Sequence, residues 1–433
     1  RPTNTPHFRS SNTRSPFLYC WEKRRGWGPH VTTSQSAIST DGREPAVEGF
    51  WQTHASDVPG IEKALAELRK QYASPAAARE GQAGTRNSVA NLVIYAGTEA
   101  DAAHATATMT ELAGRHPART ILLIADLAPG SPDVQASVSA SCRLDGGRRI
   151  CYEEIRLRAA GASGPHLRSI VDPLLISDLP NFLWWTGDPP FRHDAFLALA
   201  RLSSRVLIDS GSFRTPAATL QRLGRFMADE AIDVPVGDLN WIRLAPWREI
   251  LAQLFDPPAT GALLPYVRRV RIERATRGEN NAAPVAQSLL LAGWLASRLD
   301  WETGRNAEET FSGAYRLRLR AGARDTVVEL RGEFARDARA GDVQGIYIEA
   351  DDGEHRAAVD MSRSSEQEHA FTSVSLDGGQ PNERSVRFAR RSDAELLGDE
   401  IDRLDADRVF EDAAEMAGRL AALLPANADE GLA

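Results

Sequence analysis

Two short apolar runs, 91–96 and 120–125, flank a helical stretch at 99–115, and that succession constrains the fold more than any other feature of the sequence. Strand, helix and strand in this order require a crossover connection, which is right-handed and sets the strands parallel. Further strands expected at 182–185 and 205–209, with helices near 165–176, 191–201 and 216–231, continue the same sheet. The first half of the chain therefore reads as an α/β domain with a mostly parallel sheet. A helix precedes it: Asp57 can cap a segment with Pro59 in its first turn and Ile61, Ala64, Leu65, Leu68 and Tyr72 at helical spacing.

Residues 134–158 depart from this pattern. Two alternating runs around Asp145-Gly146-Gly147 predict a hairpin. With Gly146 and Gly147 as its loop, Cys142 faces Cys151 in a non-hydrogen-bonded pair, whose Cα separation of about 4.5 Å is within disulfide range. A loop on Asp145-Gly146 would pair Cys142 with Arg149 instead. Cys142 and Cys151 are a candidate redox pair, and two reduced, half-buried thiols are the alternative.

After the break at Asp256-Pro257-Pro258, a strand is expected at 266–275 and a helix at 284–299. The period then becomes 2: Tyr315, Leu317 and Leu319 alternate with Arg316, Arg318 and Arg320, and similar runs at 326–331, 344–349, 356–361, 370–376 and 385–390 predict an antiparallel meander. Its arginine face is either solvated or meets an anionic partner. Helices at 393–402 and 405–424 close an α+β domain. The expected division is a disordered leader at 1–49, an α/β domain at 50–262 and an α+β domain at 263–433. Residues 1–40 have six basic residues and one acid, Glu22, and the leader reads either as a transit peptide or as an artefact of an over-extended reading frame, the reading favoured here.

Composition excludes several classes. With 433 residues, two or three domains can each bury a core, and no apolar stretch reaches the 18 residues of a membrane span. Three cysteines fit a reducing compartment, and hence the cytoplasm, better than a secreted scaffold. The net charge of -8 lies in the tail, where residues 393–433 hold 12 acids against Arg403, Arg408 and Arg419, so nucleic acid is not an expected partner. Lysine occurs only at Lys23, Lys63 and Lys70, which reads as codon bias although arginine also suits bidentate pairs.

The motifs of common chemistry are missing. No lysine follows Lys70 to complete a phosphate-binding P-loop, and the nine histidines form no H-E-x-x-H or close pair, so neither metal nor cofactor is expected. The nearest enzyme-like feature is the turn Asp209-Ser210-Gly211-Ser212, where Asp209, Ser210 and Ser212 could hold a phosphate at a helix start. That turn is the basis of an alternative function, a sugar-phosphate-binding enzyme or sensor.

The unusual residues are aromatic. Trp184 and Trp185 stand side by side at a strand end and so point to opposite faces. In Asp238-Leu-Asn-Trp-Ile-Arg-Leu-Ala-Pro-Trp-Arg248, residues Trp241, Leu244, Trp247, Ile250, Leu251 and Leu254 form an apolar stripe beside Asn240, Arg243 and Arg248, with the helix restarting near Pro246. Tryptophan with arginine typifies interface hot spots; packing in the core is the competing reading.

The run from Asp238 to Glu249 closely resembles the signature of the glucose-6-phosphate dehydrogenase assembly protein family, OpcA. Thr85-Arg-Asn-Ser-Val-Ala-Asn-Leu92, His116-Pro-Ala-Arg-Thr120, Asp178-Leu-Pro-Asn181 and Leu291-Ala-Gly-Trp-Leu-Ala-Ser-Arg-Leu299 match in order, over about 50–425. Ile242 and Ala245 stand where hydroxyl residues are expected, and Asp300 where Gly is. The resemblance implies a bacterial, cytoplasmic, non-enzymatic protein that binds glucose-6-phosphate dehydrogenase and favours its active oligomer, supporting the pentose phosphate pathway of carbohydrate metabolism. Trp184, Trp185, Trp241, Arg243, Trp247 and Arg248 are the expected contact or contact-supporting residues, with the acidic C-terminal helices as a second surface. Some members are linked to redox control through thiols; no residue here establishes it, and thioredoxin as a partner is unsupported.

Overall fold

The computed structural model describes residues 47–55, 58–72, 88–127, 133–145, 148–160, 164–229, 234–277, 283–304, 307–310, 314–366 and 368–429. Asp57, the hairpin loop Gly146-Gly147, residues 85–87 and the first 46 residues of the expected leader lie outside them. The first sheet contains β1 (Val47–Ala55), β2 (Ala90–Ala96), β3 (Ala118–Asp126), β4 (Asp133–Asp145), β5 (Arg148–Ala160), β6 (Asn181–Trp185), β7 (Arg205–Ile208) and β8 (Val236–Asp238), in the order β1-β4-β5-β3-β2-β6-β7-β8. From β5 to β8 all neighbours are parallel. The predicted hairpin β4–β5 forms one side in the expected backbone register, with Cys142 opposite Cys151, and β1 pairs antiparallel with β4. Val47–Gly49, expected in the leader, belong to β1.

The polar residues of the sequence motifs tie strand ends together. Asn91 donates to Asn181 Oδ1 and Ile176 O and accepts from Ile176 N, while Asn181 donates to Leu202 O. Buried Arg119 bonds Glu62 at 2.8 Å and Leu174 O at 3.0 Å.

The second sheet holds β9 (Val267–Thr276), β10 (Glu302–Thr303), β11 (Glu308–Glu309), β12 (Tyr315–Ala321), β13 (Arg324–Phe334), β14 (Val343–Asp351), β15 (Arg356–Arg363), β16 (His369–Leu376) and β17 (Asn382–Arg387). It is mostly antiparallel, but β9 lies between β13 and β14 and runs parallel to β13, so the meander is interrupted. The helix Ala286–Arg298 follows β9 and separates it in sequence from β12 and β13. Leu317 and Leu319 are buried, and the outward Arg316, Arg318 and Arg320 pair with Glu329, Glu308 and Glu302 of neighbouring strands. Asp300 has φ 53°, the left-handed conformation that suits Gly and that Asp tolerates, at the position where the family pattern calls for Gly.

The two closing helices, Asp393–Ile401 and Arg408–Ala421, pack back onto the first half of the chain. Leu396, Leu397 and Ile401 share a core with Leu92, Ile94, Phe182 and Trp184. The last helix lies between Pro216–Met227 and Ala286–Arg298, close enough that only small residues fit: a Cβ on Gly418 would stand 2.8 Å from Leu220 O, and one on Gly293 2.8 Å from Ala417 N. The larger of two apolar clusters takes residues from both sheets, among them Val93, Ile121, Val328 and Ile348. Gly293→Ala should cost about 1–3 kcal/mol, as overpacked helix contacts do, and lower the urea midpoint at an unchanged m-value. An unshifted midpoint would show that the seam has slack.

Candidate functional site

Strands β7 and β8 end in carboxylates, Asp209 and Asp238, at the carboxyl edge of the parallel sheet where α/β folds place ligands. Both are buried. Asp238 caps the helix Leu239–Arg243: its Oδ1 accepts from Ser210 N and Asn240 N, both at 2.9 Å. Arg243 donates to both oxygens of Asp209, at 2.6 and 3.0 Å, and to Asp393 Oδ1 at 2.6 Å. Asp393 also lies 3.1 Å from His104 Nε2. The bond from His104 is the main cause holding the Asp393 carboxyl well below the usual range, and His104 is raised in turn. Burial would push Asp209 up and Arg243 down, but their mutual attraction wins on both sides, so the pair stays charged.

The network continues into the second sheet. Asn240 donates to Ser210 Oγ, Gln287 donates to Asn240 Oδ1 and Asp342 Oδ1, and Gln287 Oε1 accepts from Val343 N at the start of β14. Arg339 donates to Gly211 O at 2.6 Å. The amides of Ser210 and Gly211 are bonded to Asp238 and Asp209, and Ser212 Oγ donates to Asp209 O, so the turn at 209–212 already spends these donors within the chain.

The expected tryptophans are all in the core. Trp184, Trp185, Trp241 and Trp247 are each no more than 2% exposed, so none forms a contact surface. Trp185 stacks on Tyr95 at 3.7 Å, and Trp247 meets Phe388 edge-on at 5.2 Å. Trp241 donates to Asp407 Oδ2 at 3.1 Å beneath the turn joining the two last helices. Arg248 lies over the Trp241 ring at 3.3 Å and donates to Trp241 O, so it clamps the core, and Arg248→Glu would damage folding before it tested binding. The backbones of Cys142 and Cys151 pair in register; their side chains lie outside the described set. Among the described residues, no group of three or more His, Cys, Asp or Glu could hold a metal, and no helix is long and apolar enough to cross a membrane.

Beside Asp393 and Arg243 lies a cavity of about 200 Å³ whose lining includes Arg339, Arg363, Arg390 and Arg391. Sequence reading missed it, together with His104, Gln287, Asp342 and Asp393. The available signal was Arg390-Arg-Ser-Asp-Ala-Glu395, two arginines ahead of a capping box that the structure forms between Ser392 and Glu395.

Burial pushes the Asp238 carboxyl up to about 7, the nearby Asp209 charge adding to it against the bonds from Ser210 and Asn240. Between about pH 4 and pH 7 the native state thus holds a proton the unfolded chain has released, and stability falls as pH rises through that window. Asp238→Asn keeps the Oδ1 acceptor and removes the titration. Urea unfolding at pH 5 and pH 8 should show a smaller stability gap in the variant; an equal gap rejects the assignment.

Residues 109–225 match the family model described as glucose-6-phosphate dehydrogenase subunit N-terminal domain, and residues 234–414 match the corresponding C-terminal domain. The chain is 32% identical over 296 residues to a Nostoc punctiforme protein named as a candidate OxPP cycle protein OpcA, covering 66% of this chain and 58% of that one. A like-named Synechocystis protein is 31% identical over 194 residues, 44% of this chain and 38% of that one. The chain thus spans roughly half the length of the relatives it matches. An oxidoreductase domain protein from Kribbella flavida superposes with a TM-score of 0.42 at 14% identity, over 77% of this chain and 96% of that one, too low for any inference. The chain belongs to the glucose-6-phosphate dehydrogenase assembly protein family, OpcA.

Proposed function

From that membership we propose that the chain is a non-catalytic, cytoplasmic assembly factor that binds glucose-6-phosphate dehydrogenase and favours its active oligomer. The observation that carries this reading is the match to both family domains, in order, on one chain. An activator of this kind binds the active oligomer better than the inactive form, since equal affinity shifts no population.

Because the tryptophans are buried, they support a contact rather than make it. The turn that Trp241 supports joins the last two helices; Leu404 in it is 57% exposed beside Asp402 and Asp405, and Val409 in the first turn of the last helix is 39% exposed. Trp241 and Arg403 both bond Asp407 within this turn. An exposed apolar pair rimmed by carboxylates suits a protein contact.

The test pairs two measurements on the dehydrogenase with and without this protein: activity against substrate concentration, and complex mass by light scattering. A larger co-eluting complex with higher turnover or substrate affinity is expected. No complex from folded protein removes the assembly reading. Leu404→Asp, at an exposed position, should weaken association at least tenfold with little change in thermal stability; undiminished association moves the contact elsewhere.

A further inference from the structure

The second sheet buries one face and leaves the other open. Leu317, Val328, Val270, Ile348 and Val359 lie in the core, and the alternate positions of the same strands point outward. One outward row crosses the sheet from β12 to β17, with Arg316, Glu329 and Arg271 on one side of Tyr347 and Asp360, Ser373 and Glu383 on the other. The next row sets Arg331 on β13 and Phe371 on β16, at equal distances from Gly345 of β14. Positive charge is in surplus on the β12–β13 side, where Arg316 and Arg331 share the Glu329 carboxylate at 2.9 and 3.3 Å. On the β15–β17 side the balance is reversed: among the described residues neither Asp360 nor Glu383 forms an ion pair. Burial, and then the charge of Glu273, push the Asp360 carboxyl up against the pull of Arg271. These two carboxylates and Phe371, which is 52% exposed, line a cavity of about 450 Å³. The arginine of that lining, Arg384, stands opposite Thr372, at a strand position of the other face.

We propose that a second copy of this chain docks face to face on the open sheet, about a two-fold axis lying along β14. The half-turn lays β12 over β17 of the other copy, β13 over β16 and β9 over β15. Arg316 then faces Glu383, Arg271 faces Asp360 and Arg331 faces Phe371, each contact occurring twice, and Tyr347 meets its own copy at the axis. The groups that receive guanidiniums are the ones that line the cavity, so carboxylates without an ion pair meet arginines in surplus, and a ring meets a cation. In the row beyond, Glu349 approaches its own copy, but each stands beside an Arg269. Twisted sheets packed in this way separate toward their corners, and there the pattern places its long side chains. The surface lies on the second sheet, apart from the turn carrying Leu404, and stands independently of the dehydrogenase reading.

The experiment is sedimentation equilibrium of the full chain alone, over a range of micromolar concentrations at low and high potassium chloride. A mass rising with concentration toward twice the 47.2 kDa of one chain is expected, with weaker association at high salt. Glu383→Arg and Phe371→Asp, at exposed positions, should each weaken dimerisation roughly tenfold or more, since one substitution alters two symmetric contacts, and should leave the far-ultraviolet circular dichroism unchanged. Combining Arg316→Glu with Glu383→Arg exchanges the signs of the pair and should recover most of the affinity. Arg192→Glu, in the first half of the chain, should have no effect. A chain that stays monomeric throughout overturns the proposal, and so does a dimer that Glu383→Arg and Phe371→Asp leave intact. If a monomeric chain loses association with the dehydrogenase on Phe371→Asp, the face belongs to that partner, and the second copy is likewise excluded.

Discussion

Arg205, at the start of β7, and Glu400, near the end of the helix Asp393–Ile401, form an ion pair that solvent does not reach. The guanidinium Nε donates to Glu400 Oε2 at 2.8 Å and another nitrogen to Asp405 O at 2.7 Å. Neighbouring Gly237 must lack a side chain, since a Cβ there would overlap the Glu400 carboxylate. Replacing such a pair with apolar residues is often neutral or stabilising, but stranding one member costs about 3–5 kcal/mol. Its effect is therefore on alternatives: any docking of the closing helices that separates the two charges is heavily disfavoured. The end of the chain is fixed on the first sheet, 195 residues away in sequence.

That attachment brings the other parts into place. Once Glu400 is seated, Asp393 at the start of the same helix reaches Arg243 and His104, and the last helix follows into the seam between Gly224 and Gly293. Gln287 then links Asn240 of the first half to Asp342 and Val343 of the second. Buried polar groups joined in this way are costly to leave half satisfied, so the two sheets behave as one unit although their strands are separate. The cavity borders the same joint, with lining from both sides.

Much of this was legible in sequence where the signal was local. The apolar runs of β2 and β3, the register of the hairpin β4–β5, the restart at Pro246 and the alternation around Leu317 and Leu319 depend on neighbours in the chain, and they are found at or near the expected places. β1 was not, because an edge strand separated from its partner β4 by more than 80 residues has no local mark. The parallel insertion of β9 is likewise a matter of which strand it meets, which periodicity does not encode. The tryptophans show the limit most clearly. Adjacent Trp184 and Trp185 do point to opposite faces, but both faces of this sheet are covered, the Trp184 side by the helices Glu99–Leu112 and Asp393–Ile401, so both are buried. Arg205–Glu400 and the convergence of Arg339, Arg363 and Arg390 arise only from tertiary closure.

The helix Asp393–Ile401 joins the cavity to the exposed turn: its first turn borders the arginine-lined cavity, and its end leads into the turn carrying Leu404. Communication along it would require a second position of this helix. The geometry opposes a small slide. Gly237 leaves room for Glu400 in one place, a Cβ on Gly398 would already stand 3.0 Å from His116 Nε2, and Asp393 would have to exchange two charged partners together. Packed contacts of this kind are bistable rather than continuously deformable, so a helix held at both ends transmits little unless it is released entirely. On the proposed assembly reading, the chain would act as a rigid template that presents a preformed turn, with the conformational change taking place in the partner's oligomer rather than in itself.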